Sequence, residues 1–121
     1  MKEVCIFNET RDSFLAQRAC VADSFFPRLK GLLGKKCLPP QGGLVIIPCS
    51  SVHCMGMKFP IDVLYVSLEH KVLKVVENLR PNRLGPIVKG SKYVVELPAG
   101  TISATSTGEG DILHLKNIND D

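Results

Sequence analysis

The chain has 121 residues, 45% hydrophobic and 22% charged, with a formal net charge of +3. That length fits a single domain, 1–121, and folding it should bury roughly two-thirds of the surface exposed by the unfolded chain, which excludes an intrinsically disordered protein. The charge is mild and scattered; the nearest thing to a basic patch, Arg28 to Lys36, has no interleaved aromatics on which bases would stack, so nucleic acid is not an expected partner.

No apolar run approaches the roughly 18 to 20 residues that span a bilayer, so a membrane is not an expected partner either. The first residues, MKEVCIFNETRDSF, have no sustained apolar stretch of the secretory kind. The five cysteines, Cys5, Cys20, Cys37, Cys49 and Cys54, are odd in number and lack paired spacing, as expected of free thiols in a reducing compartment. A cytoplasmic protein is the expectation.

Taken in chain order, residues 3–7 predict a strand and Asn8 to Ser13 a polar turn. Residues 14–22, FLAQRACVA, contain good helix formers, but a hairpin with the first strand is attractive and strand is preferred. Asp23-Ser24 is an N-cap for a short helix over 25–33, with Pro27 in its first turn and Gly34 as its stop. The prolines and glycines of Leu38 to Gly43 predict a loop. Leu44 to Ile47 is a buried strand and Val52 to Met55 another. Residues 62–79 form the best hairpin candidate, turning at Glu69-His70. A loop over 81–90 follows, then a strand at Tyr93 to Leu97 ended by Pro98. One or two helical turns over 101–107 and a last strand at 111–115 complete the chain. Seven or eight short strands without crossover helices of useful length predict a mainly β (α+β) fold: a compact antiparallel barrel-like sheet with one or two short helices.

Several short motifs punctuate this pattern. Arg28-x-x-Gly31-Leu32-Leu33-Gly34 is followed by Leu38-Pro39, then Gly43-Leu44-x-x-x-Pro48-Cys49, His53 and Gly56-Met57-Lys58-Phe59-Pro60-Ile61-Asp62. Arg80-Pro81, Val95-Glu96-Leu97-Pro98-Ala99-Gly100 and Gly110-Asp111 come after. In that order and spacing the chain resembles the prokaryotic family called domain of unknown function 192, over about residues 24–115. The resemblance implies a small, mainly β fold with a few short helices; it implies no activity. Cys54 stands where similar sequences usually carry Thr or another residue without a thiol, so a mechanism that needs Cys54 would not be a family mechanism.

The segment Pro48 to Asp62 concentrates the reactive side chains. Cys49 and His53 are the candidates for a metal site, but a structural zinc wants four ligands. If 52–55 is a strand, His53 and Cys54 point to opposite faces. No metal and no cofactor is therefore expected, and Cys49 is read as a buried thiol before a nucleophile. The preferred constellation is His53 with Asp62 and Glu96. A carboxylate can fix the tautomer of a histidine and raise its pKa, and these three are the catalytic candidates. The plainer role of Asp62 is to cap a turn. Glu96 lies inside an apolar strand and shares a face with Val94 and Pro98; if that face is buried its carboxylate must be paired, with Arg28 or Arg80 as partner. Arg28, at the start of a helix, is a possible anion contact, although the plainer reading of 28–34 is a capped helix packed on the sheet.

These residues point to a small domain that binds a small polar or anionic ligand, or a peptide segment, through Arg28, His53, Asp62 and Glu96. The alternatives are a small acid–base enzyme using His53 with Asp62, and an accessory interaction module of a larger assembly that offers a sheet edge to a protein partner.

Overall fold

The computed structural model describes residues 2–22, 41–47, 59–81 and 83–118. Among these residues seven strands and one short helix follow one another: β1 (Glu3–Asn8), β2 (Ser13–Ala22), β3 (Gly42–Ile46), β4 (Ile61–Val66), β5 (Val72–Leu79), β6 (Tyr93–Pro98), α1 (Thr101–Thr105) and β7 (Leu113–Asn117). They form one sheet in the order β5-β4-β6-β3-β2-β1-β7. The helix predicted over 25–33 and the strand over 52–55 lie outside the described residues.

The sheet is a curled half-barrel. Its two outer strands meet at one corner, where Lys71, just before β5, forms an antiparallel bridge with Ile112, just before β7. Three backbone bonds fasten that corner: Val72 N–H to Asp111 O (2.8 Å), Gly110 N–H to Val72 O (2.8 Å) and Leu113 N–H to His70 O (2.9 Å). The right-handed twist of successive strands brings the ends of such a sheet toward each other, and joining them shortens the exposed edge.

Residues 13–22 are strand, paired with β1 as a hairpin from Glu3↔Cys20 to Asn8↔Ser13. Its turn contains Asp12 in the left-handed region (φ 54°). The predicted 62–79 hairpin is β4 and β5. One pairing departs from the antiparallel expectation: β2 and β3 run parallel, from Arg18↔Gly42 to Ala22↔Ile46. Parallel neighbours need a long crossover, and residues 23–41 are ample for one.

Two boundaries also differ from expectation. Gly42 and Gly43 belong to β3 rather than to a loop, and the reason is space. A Cβ on Gly43 would stand 3.1 Å from the Glu96 carbonyl oxygen and 3.2 Å from Leu97 Cδ2, so a side chain there would require β6 to give by a few tenths of an ångström. The last strand begins at Leu113, because Gly110 (φ 93°) and Asp111 are used in the turn before it.

β4 and β6 are buried on both faces. One face contributes Leu64, Val66, Val95 and Leu97 to a core that gathers residues from every strand and Ile102 of α1. The other contributes Ile61, Val63, Tyr65 and Val94 to a second cluster with Leu44, Ile46, Phe59 and Leu79. A strand that reads as a continuous apolar run is therefore what this position demands, because neither of its faces meets water.

A candidate functional site around Glu96

Asp62 is the second residue of β4 and has no exposed surface. Its Oδ1 accepts the amide of Asn78 (2.9 Å), and its Oδ2 accepts those of Gly100 (3.0 Å) and Ile102 (2.9 Å). Each donor has a local reason to need it. Asn78 takes a left-handed conformation (φ 56°) at the end of β5. Gly100 is the N-cap of α1, also left-handed (φ 98°), and has no side chain with which to cap. The carboxylate of a distant strand therefore does the work of the missing cap. Three of about four acceptor positions on the carboxylate are occupied, which leaves little to orient a histidine.

Glu96 has a different setting. On β6 it lies directly opposite Leu44 of β3 and Val63 of β4, so its side chain emerges on the face of the second cluster, beside Val94 and Tyr65. Only 1% of its surface is exposed. Removing a carboxylate from water to this extent is costly without hydrogen bonds or an opposite charge. The alternation expected from the sequence, with Glu96 sharing a face with Val94, is the alternation observed.

The same register separates the two carboxylates. Asp62 faces Leu97 across β4 and β6, whereas Glu96 faces Val63. A one-residue offset in a strand changes the face. Asp62 therefore projects toward the core that contains Leu97 and Ile102, and Glu96 projects away from it. The shared constellation of Asp62 and Glu96 does not form. Arg28, Cys49, His53 and Cys54 lie outside the described residues. Arg80 is exposed in the segment after β5. Among the described residues, no group of three or more His, Cys, Asp or Glu side chains is placed to hold a metal ion.

The sequence reading missed a second buried polar group, at the corner where the sheet closes. Asn8 Nδ2 donates to Thr107 Oγ1 (3.1 Å) and to Asp111 Oδ2 (3.0 Å), and the backbone amide of Arg11 donates to Asn8 Oδ1 (3.1 Å). Asp111 Oδ2 also accepts Arg11 Nε (3.1 Å) and the amide of Gly108 (2.9 Å). Burial works to raise the Asp111 pKa; the bonds from Asn8 and Gly108 and the bond and charge of Arg11 outweigh it and hold the carboxyl below its usual range. These groups satisfy one another, so the network ties the β1–β2 turn to the segment before β7. Gly110-Asp111 was the only signal of it in the sequence. Nearby, His70 Nδ1 is hydrogen-bonded to Tyr93 Oη (2.8 Å), and burial pushes the Tyr93 phenol well above its usual pKa.

The motif pieces thus meet in space: Asp62 of the Phe-Pro-Ile-Asp segment grips Gly100 of the Glu-Leu-Pro-Ala-Gly segment. The sequence pattern of domain of unknown function 192, described as "Uncharacterized ACR", matches residues 6–115. The chain belongs to this family. The match takes in the end of β1 and all of β2, which precede the residues that carried the resemblance. A UPF0127 protein of Pyrococcus furiosus is 30% identical over 118 residues, covering 93% of this chain and 99% of that protein. A UPF0127 protein of Thermococcus sibiricus is 29% identical over 114 residues, covering 88% of this chain and 71% of that one. The crystal structure of a protein of unknown function from Novosphingobium aromaticivorans shares the fold, with a TM-score of 0.78 at 19% identity, covering 93% of this chain and 83% of that one. Among the described residues no helix is long and apolar enough to cross a membrane.

Proposed function

We propose that this chain is a small binding domain whose site lies around Glu96, on the sheet face that carries the second cluster, and that it takes a small polar or anionic ligand or a peptide segment. The observation that carries the reading is the buried carboxylate of Glu96 between Leu44 and Val63. A charged side chain buried inside an apolar cluster is the informative departure from the usual distribution of residues. The Glu96 carboxylate would receive a hydrogen-bond donor of the ligand. Arg28 and His53 enter this reading from the sequence, as an anion contact and a second polar contact. Asp62 belongs to the scaffold that holds β4, β5 and α1 in place. The free thiols of Cys5 and Cys20 favour a cytoplasmic setting.

The test compares wild-type protein with Glu96→Gln. Native mass spectrometry under reducing conditions looks for a retained ligand, and thermal shifts are measured against a panel of small carboxylates, phosphates and amino acids. A compound that raises Tm for wild type and not for the variant supports the reading. Equal stabilisation of both moves the site away from Glu96. No response in either measurement shifts the balance to an interaction module.

A further inference from the structure

The chain from Asn78 to Val95 contains Arg80, Arg83, Lys89 and Lys92 and no acidic residue. All four cations are exposed, and among the described residues none forms an ion pair. Between them stand Leu84 and Ile87, exposed at 74% and 81%, the two most exposed large apolar side chains of the described residues. They flank Gly85-Pro86 on the connection between β5 and β6.

This connection is anchored at its later end. Val88 packs against the second cluster, the amide of Ser91 donates to Val88 O (3.2 Å) and that of Lys92 to Val66 O (2.8 Å). The backbone turns at Gly90 (φ 89°) beside Leu73. Leu84 also takes part in an isolated β-bridge, so two mostly exposed apolar side chains sit on a connection whose backbone is held at Leu84 and at Lys92.

We propose that this loop docks peripherally on an anionic membrane surface, Leu84 and Ile87 entering the headgroup boundary and Arg80, Arg83, Lys89 and Lys92 meeting lipid phosphates. Two observations favour a lipid surface over an acidic protein. The apolar side chains project with little cover, which suits a soft hydrocarbon boundary. No aromatic residue lies between Tyr65 and Tyr93, whereas protein interfaces are enriched in buried aromatic anchors. A run of exposed cations with no carboxylate between them suits attraction to anionic lipid. The expectation of no membrane partner rested on the lack of a spanning segment, and surface docking needs none.

The test is co-sedimentation with phosphatidylcholine vesicles, with and without phosphatidylglycerol. Wild type should sediment with the anionic vesicles, stay in solution with the neutral ones, and be released by salt. The Leu84→Ser/Ile87→Ser variant should lose most of the binding, and each of Arg83→Gln and Lys89→Gln should weaken it about fivefold. Circular dichroism melts equal to wild type establish that the exposed substitutions leave the fold intact. Equal sedimentation with both vesicle types, none with either, or a serine variant that binds like wild type overturns the proposal. Binding to a polyglutamate peptide in the absence of vesicle binding overturns it in favour of an acidic protein partner.

Discussion

Asp62 and Gly100 are 38 residues apart in sequence and are joined by a 3.0 Å hydrogen bond from the Gly100 amide to the Asp62 carboxylate. With the amides of Asn78 and Ile102 on the same side chain, one residue fastens three elements. A fully buried carboxylate that reads as a catalytic candidate in the sequence is a clamp in the structure.

Asp62→Ala should therefore be severe. It leaves three amides without their acceptor, and the loss should be about 3 kcal/mol, more than a surface helix cap costs. Urea denaturation of wild type, Asp62→Ala and Asp62→Asn measures it, with Asn intermediate because its amide retains a single acceptor oxygen. A loss below about 1 kcal/mol for the alanine variant would show that the clamp contributes little.

Asp111 predicts an acid limb in stability. Its folded pKa is held below the unfolded value, so its contribution is present above the unfolded pKa and is lost as pH falls through the folded one. Stability should decline below about pH 4. In Asp111→Asn the part of the decline due to this group should disappear, at the cost of lower stability near neutrality. Urea midpoints across the acid range give the answer; parallel curves for the two proteins would exclude Asp111 as the source.

Gly43→Ala tests the close approach of β3 and β6. The added methyl would meet backbone at 3.1 Å as well as a leucine side chain at 3.2 Å, and backbone cannot rotate out of the way. Overpacking of this kind should cost about 1 to 3 kcal/mol. An unchanged or raised Tm would mean that the two strands separate easily.

Gly100→Ala tests conformation without crowding. Nothing lies within 4 Å of a Cβ at this position, yet its φ is 98°. The penalty should be about 1 kcal/mol from the backbone alone. Gly100→Asn should recover part of it, because Asn tolerates the left-handed region better than Ala. Identical losses for the two variants would point to a cause other than φ.

Local pattern carried much of the fold. The two hairpins follow from β-rich runs separated by turn residues, and Glu96 was placed on its correct face by alternation alone. What local pattern does not carry is pairing across long connections. Nothing in GGLVI says that it will lie parallel to residues 18–22, since that depends on where a long crossover delivers it. The separation of Asp62 from Glu96 had the same origin. Each residue's alternation within its own strand was legible, but their relative faces depend on the register between β4 and β6. The network of Asn8, Thr107 and Asp111 joins residues about a hundred positions apart and has no periodic signature.

The pairing of β1 with β7, from Val4↔Asn117 to Asn8↔Leu113, has a consequence during synthesis. Of the seven strands β1 leaves the ribosome first, and one of its two neighbours, β7, leaves after the other six. At about 5 to 20 residues per second, β1 waits roughly 5 to 20 s with that edge uncovered. Strand edges left open on a nascent chain invite pairing with other chains. The corner between Lys71 and Ile112 closes only after that wait, so a truncated product ending before β7 should aggregate where the full chain stays dispersed.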